Sequence, residues 1–140
     1  MAEDSSIQRL RSVHLFAALS KKDLRAVLQT GQEVEFPAGA TIAAEGSAAS
    51  DFYLILEGTA RVFVGGRGKR ALRAGDYFGE MSVIDGGPRT ATVSAVTRVS
   101  ALRLNRRAFR SLLRTNASVS RMITLELVGR LRAAERSLTH

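Results

Sequence analysis

Between Glu33 and Leu104 the chain alternates short strand-like segments with glycine-bearing turns, and no segment is long enough for a helix of ordinary length. The segments are 34–36, 41–44, 52–56, 59–64, 69–72, 90–95 and 100–104. Between them stand Pro37-Ala38-Gly39, Glu45-Gly46, Glu57-Gly58, Gly65-Gly66-Arg67-Gly68 and Ala74-Gly75-Asp76. Glycine takes positive φ without steric cost, so these positions read as turns. Strands this short, this evenly spaced and without intervening helices predict an antiparallel barrel or sandwich.

Helical spacing flanks this region on both sides. Ile7, Leu10, Val13 and Leu15 recur at threes and fours. Ser20-Lys21-Lys22-Asp23 forms a capping box, with Leu19 and Leu24 placed as a hydrophobic staple, and the helix it opens should stop near Gly31. Asn105 is the expected N-cap of a short helix carrying Phe109, Leu112 and Leu113. A longer helix follows, with Met122, Ile123, Leu127, Leu131, Ala134 and Leu138 in helical register. The last four serve either as a short dimer seam or as the inner face of a lid. The expectation is one domain over 1–140, with N-terminal helices over 1–31, strands over 32–104 and C-terminal helices over 105–140.

Several functions are disfavoured by composition. The chain has no cysteine, which removes disulfides, thiolate metal sites and a catalytic thiol. Its two histidines, His14 and His140, lie near opposite ends, so a histidine metal cluster is not expected. The acidic N-terminus has no apolar segment behind it, and no apolar run approaches the ~20 residues that span a bilayer. A cytoplasmic location with no membrane segment is therefore expected. The net charge of +8 lies wholly in residues 98–140, where 10 arginines face Glu126 and Glu135. Such asymmetry suits either a solvated helix face or an anionic partner.

One stretch concentrates chemistry, Phe78-Gly79-Glu80-Met81-Ser82 through Gly86-Gly87-Pro88-Arg89-Thr90-Ala91. A short helix can open at Glu80, with Gly79 letting the backbone turn close to a ligand and the free amides favouring an anion. Arg89 is the one strong cation of the stretch, and its planar fork suits a phosphate better than lysine would. Glu80 can accept from a sugar hydroxyl. These residues together suggest a site for a small phosphorylated sugar.

The run Phe78-Gly79-Glu80 to Pro88-Arg89-Thr90-Ala91-Thr92-Val93 resembles the phosphate-binding cassette, here 78–93, of cyclic nucleotide-binding domains. Such domains occur in catabolite activator proteins, regulatory subunits of cAMP-dependent kinase and cyclic nucleotide-gated channels. Pro37 to Ile42, Glu45-Gly46, Tyr53 to Gly58 and Gly75 to Glu80 extend the resemblance over nearly the whole chain. It implies a mainly β fold, an antiparallel, jelly-roll-like β-roll with N-terminal helices and C-terminal lid helices. It also implies that Arg89 meets the cyclic phosphate and that Glu80 holds the ribose 2′-hydroxyl with help from the Gly79 amide. Ser82, Thr90 and Ala91 add bonds to phosphate, and the last helix closes over the base. Phe78 and Met81 count within the site although both read as core, and Pro88 counts as part of the turn before Arg89.

The ligand so implied is cAMP or cGMP, with cAMP ranked first and no cofactor beyond it. Thr90 tempers that order, because in this family a threonine after the arginine can reach the guanine amino group; its plainer role is a β-branched strand start. The chain is expected to be a non-enzymatic sensor or regulatory module that signals through its last helix to a protein effector or a second copy. A DNA-reading helix pair, which follows in the catabolite activator type, is not expected within these 140 residues. The rival readings are non-specific nucleic-acid binding by the arginine-rich C-terminal third and a cupin-type metalloenzyme, for which the β region lacks histidine.

Overall fold

The computed structural model describes residues 2–139, with side chains described for 6–138; Met1 and His140, the second histidine of the metal argument, lie outside the described residues. Helix α1 (Ala2–Ser12) leads through a 3-10 turn (His14–Phe16) into α2 (Lys21–Thr30). The strands are β1 (Gln32–Phe36), β2 (Thr41–Ala43), β3 (Phe52–Glu57), β4 (Ala60–Val64), β5 (Arg67–Leu72) and β6 (Tyr77–Phe78). After α3 (Glu80–Asp85) come β7 (Thr92–Ala95), β8 (Val99–Leu104), α4 (Arg106–Thr115) and α5 (Ala117–Thr139).

The strands build two four-stranded sheets in the orders β1-β8-β3-β6 and β2-β7-β4-β5, every pairing antiparallel. This is the expected roll. Strand β3 explains how one roll supports two cores. Its side chains alternate between faces: Phe52 and Leu54 join the core under the helices, while Tyr53 and Ile55 join the core between the sheets. All four are buried, which accounts for an apolar run without polar alternation. Phe52 stacks on Phe109 of α4 at 4.0 Å between ring centroids, clasping the helices to the roll.

Local signals match the element ends. Ser20 Oγ accepts from the Asp23 amide at 3.1 Å, and Asn105 Oδ1 accepts from the Ala108 amide at 2.8 Å. Helix α2 stops at Gly31, whose amide still donates to the Val27 carbonyl. The turn at Gly58 requires glycine, since φ is +93° and a Cβ there would lie 2.1 Å from the Arg98 carbonyl oxygen. Three details depart from the sequence reading. The two-residue β6 is an additional strand, pairing with β3. The strand expected over 90–95 begins at Thr92, because the Arg89 backbone instead pairs with the β2–β3 connection. Leu131 and Leu138 of α5 are 60% and 86% exposed, so the inward face of this helix is its first half, around Val119 and Ile123.

Candidate functional site

A narrow cleft of about 50 Å³ opens between the second sheet, α3 and α5. Its wall includes eight of the nine residues singled out from sequence: Phe78, Gly79, Glu80, Met81, Ser82, Arg89, Thr90 and Ala91. Pro88 is exposed and lies outside the wall. Phe78 is buried as core, but Met81, also read as core, is 39% exposed on the cleft side of α3. The cleft also takes in Arg70 from β5 and Arg130 from α5, two residues that nothing near the cassette in sequence signals.

The backbone places Arg89 firmly. Its amide donates to the Ser47 carbonyl at 2.9 Å, and its carbonyl accepts from the Gly46 amide at 2.8 Å. The side chain runs inward, 5% exposed, with the guanidinium carbon 6.0 Å from the Tyr53 ring centroid. Nη2 donates to the Asp51 carbonyl at 2.7 Å, whereas Nε and Nη1 are buried without a protein partner. Burial holds the Arg89 pKa below the usual arginine value, with Tyr53, Asp51 and Glu80 opposing that drop. An unpaired buried donor on a charged group costs ~1–3 kcal/mol or more, so these two N–H groups are poised for an anion.

Gly79 makes this approach possible. It precedes α3 with φ +93° and ψ 0°, the left-handed conformation that side chains disfavour. A Cβ there would sit 2.4 Å from the Asp51 carbonyl oxygen and 2.5 Å from Arg89 Nη1. Glu80, the first residue of α3, is only 3% exposed. Its Oε1 accepts from Arg130 Nη1 at 2.9 Å, and its Oε2 is buried without a partner. The cleft therefore offers two unpaired donors on Arg89 and one unpaired acceptor on Glu80. That set matches an anion joined to a hydroxyl.

Arg130 links the site to the last helix. Its Nη2 donates to Glu126 Oε1 at 2.5 Å, while the Tyr77 hydroxyl donates to Glu126 Oε2. Burial tends to lower the Arg130 pKa, but Glu80 and Glu126 more than offset it and hold the value above the ordinary one. At the other end of α3, the Val83 and Ile84 carbonyls accept from Arg106 Nε at 3.3 Å and Arg110 Nη2 at 3.2 Å of α4. Part of the C-terminal arginine excess is thus engaged within the chain itself, since Arg98 also pairs with Glu35 and Arg103 with Gln32 at the surface. No group of three or more potential metal ligands occurs among the described residues, and no described helix is long and apolar enough to cross a membrane.

Comparison with known proteins places the geometry in context. The family model described as "Cyclic nucleotide-binding domain" matches residues 33–116. The chain is 30% identical over 134 residues to a CRP-like cAMP-activated global transcriptional regulator of Mycobacterium tuberculosis, covering 89% of this chain and 58% of the regulator. Its structure is similar to the catabolite activator protein of Thermus thermophilus, with TM-score 0.80, 32% identity, and coverage of 89% of this chain and 61% of the other. It is also similar to the regulatory domain of Toxoplasma gondii PKA with cAMP, with TM-score 0.81, 26% identity, and coverage of 91% and 50%. The chain thus spans between half and two thirds of each of these proteins.

Proposed function

Since the chain belongs to the cyclic nucleotide-binding domain family, we propose that its cleft binds one cyclic nucleotide, cAMP ahead of cGMP, and that α5 carries the event outward. The observation that carries this reading is the buried Arg89 guanidinium, whose adjacent Nε and Nη1 lack any protein partner beside a Glu80 oxygen in the same condition. A cyclic phosphodiester is a single anion able to accept a charge-assisted hydrogen bond from an unpaired Arg89 nitrogen, the interaction for which arginine is suited. The ribose hydroxyl attached to the same ring system would donate to Glu80 Oε2. Ligand binding would then give partners to the Arg89 guanidinium and to Glu80 Oε2 in one step.

The preference for cAMP is supported by the relatives, one named as cAMP-activated and one solved with cAMP. A second reading, cGMP, is favoured by Arg70. Its side chain lines the cleft and makes no hydrogen bond or ion pair among the described residues. Guanidinium pairs bidentately with O6 and N7 of guanine, a pattern adenine does not present. Thr90, exposed on the same wall, adds a hydroxyl for the guanine amino group. The role is binding and relay, with no reaction assigned. Its output would be mechanical, since a ligand shifts α5 only by as much as its affinity differs between two positions of that helix.

Thermal-shift titration with cAMP, cGMP and non-cyclic AMP tests the reading. Saturable stabilisation by a cyclic nucleotide but not by AMP is expected. No shift with either cyclic nucleotide at millimolar concentration would reject it. Nucleic-acid binding is weaker as an account of the arginines, given their intramolecular pairing, and salt-sensitive binding of duplex DNA at low ionic strength would revive it.

A further inference from the structure

We propose that Tyr77 and Glu126 are positioning residues for Arg130, tying α5 to the start of α3 through two cross-links in place of one. The contacts form a circuit. Tyr77 at β6 donates to Glu126 of α5, Glu126 accepts from Arg130 one turn later, and Arg130 donates to Glu80 of α3. Tyr77 and Glu80 are the ends of the four-residue segment 77–80, which contains Gly79, the glycine against which Arg89 packs, so this segment and one turn of α5 are joined at both ends.

A lone Glu126–Arg130 pair on a helix surface would contribute little, because exposed pairs at this spacing are worth only ~0.3–0.5 kcal/mol. The Tyr77 hydroxyl changes its meaning. The Tyr77 ring packs against Phe52 in the core, with centroids 5.6 Å apart, so the hydroxyl is held from the sheet rather than from the helix. Burial, followed by the bond to Glu126, pushes the Tyr77 phenol above its ordinary pKa, which keeps it a donor. One cross-link lets a helix swing or roll about the contact; two prevent both. Arg130 is then presented to Glu80 Oε1 in one orientation, leaving Oε2 for a ligand hydroxyl. The tie uses protein atoms alone. It therefore needs no nucleotide, and its help to nucleotide capture rests on the reading of the cleft given above.

Hydrogen exchange of amides 120–130, measured without nucleotide, tests the tie on the full chain. Glu126→Gln keeps a partner for Tyr77 but loses the charge; Tyr77→Phe keeps the packed ring but loses the hydroxyl. Each should speed exchange in this part of α5 about two- to tenfold, the worth of one or so net hydrogen bond, with the strands unchanged. The decisive arm is epistasis. In an Arg130→Gln background, Glu126→Gln should add nothing, because its effect passes through Arg130. Unchanged exchange in both single variants, or effects that multiply in the double variant, would overturn the proposal. A parallel titration should show the dissociation constant for cAMP rising by a similar factor in each single variant. Failure of wild type to bind any cyclic nucleotide would sink the nucleotide reading, while the exchange arm would still decide the tie.

Discussion

Replacing Arg89 with methionine should abolish nucleotide binding without weakening the fold. The guanidinium is 5% exposed, makes one hydrogen bond, to Asp51, and leaves Nε and Nη1 unpaired. Losing the bond to Asp51 costs ~1.5–3 kcal/mol, while removing two buried unsatisfied donors recovers ~1–3 kcal/mol each. Methionine fills similar length with a flexible apolar chain that can rest on the Tyr53 ring. The net effect spans from a loss of ~1 kcal/mol to a gain of ~4.5 kcal/mol, in keeping with buried charges that prove neutral or costly when replaced. At about 3–5 °C per kcal/mol for a domain of this size, the Arg89→Met melting temperature should lie no more than ~5 °C below wild type and more often above it. Wild type with cyclic nucleotide at 100 times its Kd should gain ~2.7 kcal/mol, and the variant should gain none. Differential scanning calorimetry with and without ligand reads both. A fall of 10 °C or more in the unliganded variant would show that Arg89 is structural, and the reasoning from its unpaired donors would fail.

Glu80→Ala deletes an acceptor for the ribose hydroxyl and should weaken cyclic nucleotide binding by ~1.5–3 kcal/mol in calorimetry; an unchanged affinity would remove Glu80 from the site. Gly79→Ala places a Cβ within 2.5 Å of both Asp51 and Arg89 at φ +93°. Backbone strain alone should lower stability by ~1–3 kcal/mol, and binding should fall with it, whereas a wild-type melting curve would deny the tight approach. Thr90→Ala and Arg70→Ala should each weaken cGMP more than cAMP in competition titration, and equal effects would exclude both from base recognition.

The roll was legible because two signals agree along the chain, short strand-like segments and turns that need glycine. The structure adds that β3 is buried on both faces, its side chains dividing between the two cores. Strand β6 escaped because two residues carry no period, and its pairing to β3 depends on the turn around Gly75 and Asp76. The late start of β7 has a tertiary cause, the capture of the Arg89 backbone by Gly46 and Ser47. At the site, the cassette is contiguous and so could be read directly. Arg130 and Arg70 could not, being brought to the cleft from α5 and β5 by folding alone. The stripe ending in Leu131 and Leu138 shows the opposite limit: helical spacing reveals an apolar face but not whether the chain itself covers it.

A crystal structure of the protein with bound cyclic nucleotide examines the central claim most directly. The account predicts a phosphate oxygen within ~2.7–3.2 Å of Arg89 Nε or Nη1 and a ribose hydroxyl on Glu80 Oε2. A nucleotide seated elsewhere, or one whose phosphate leaves those two nitrogens unpaired, would contradict it.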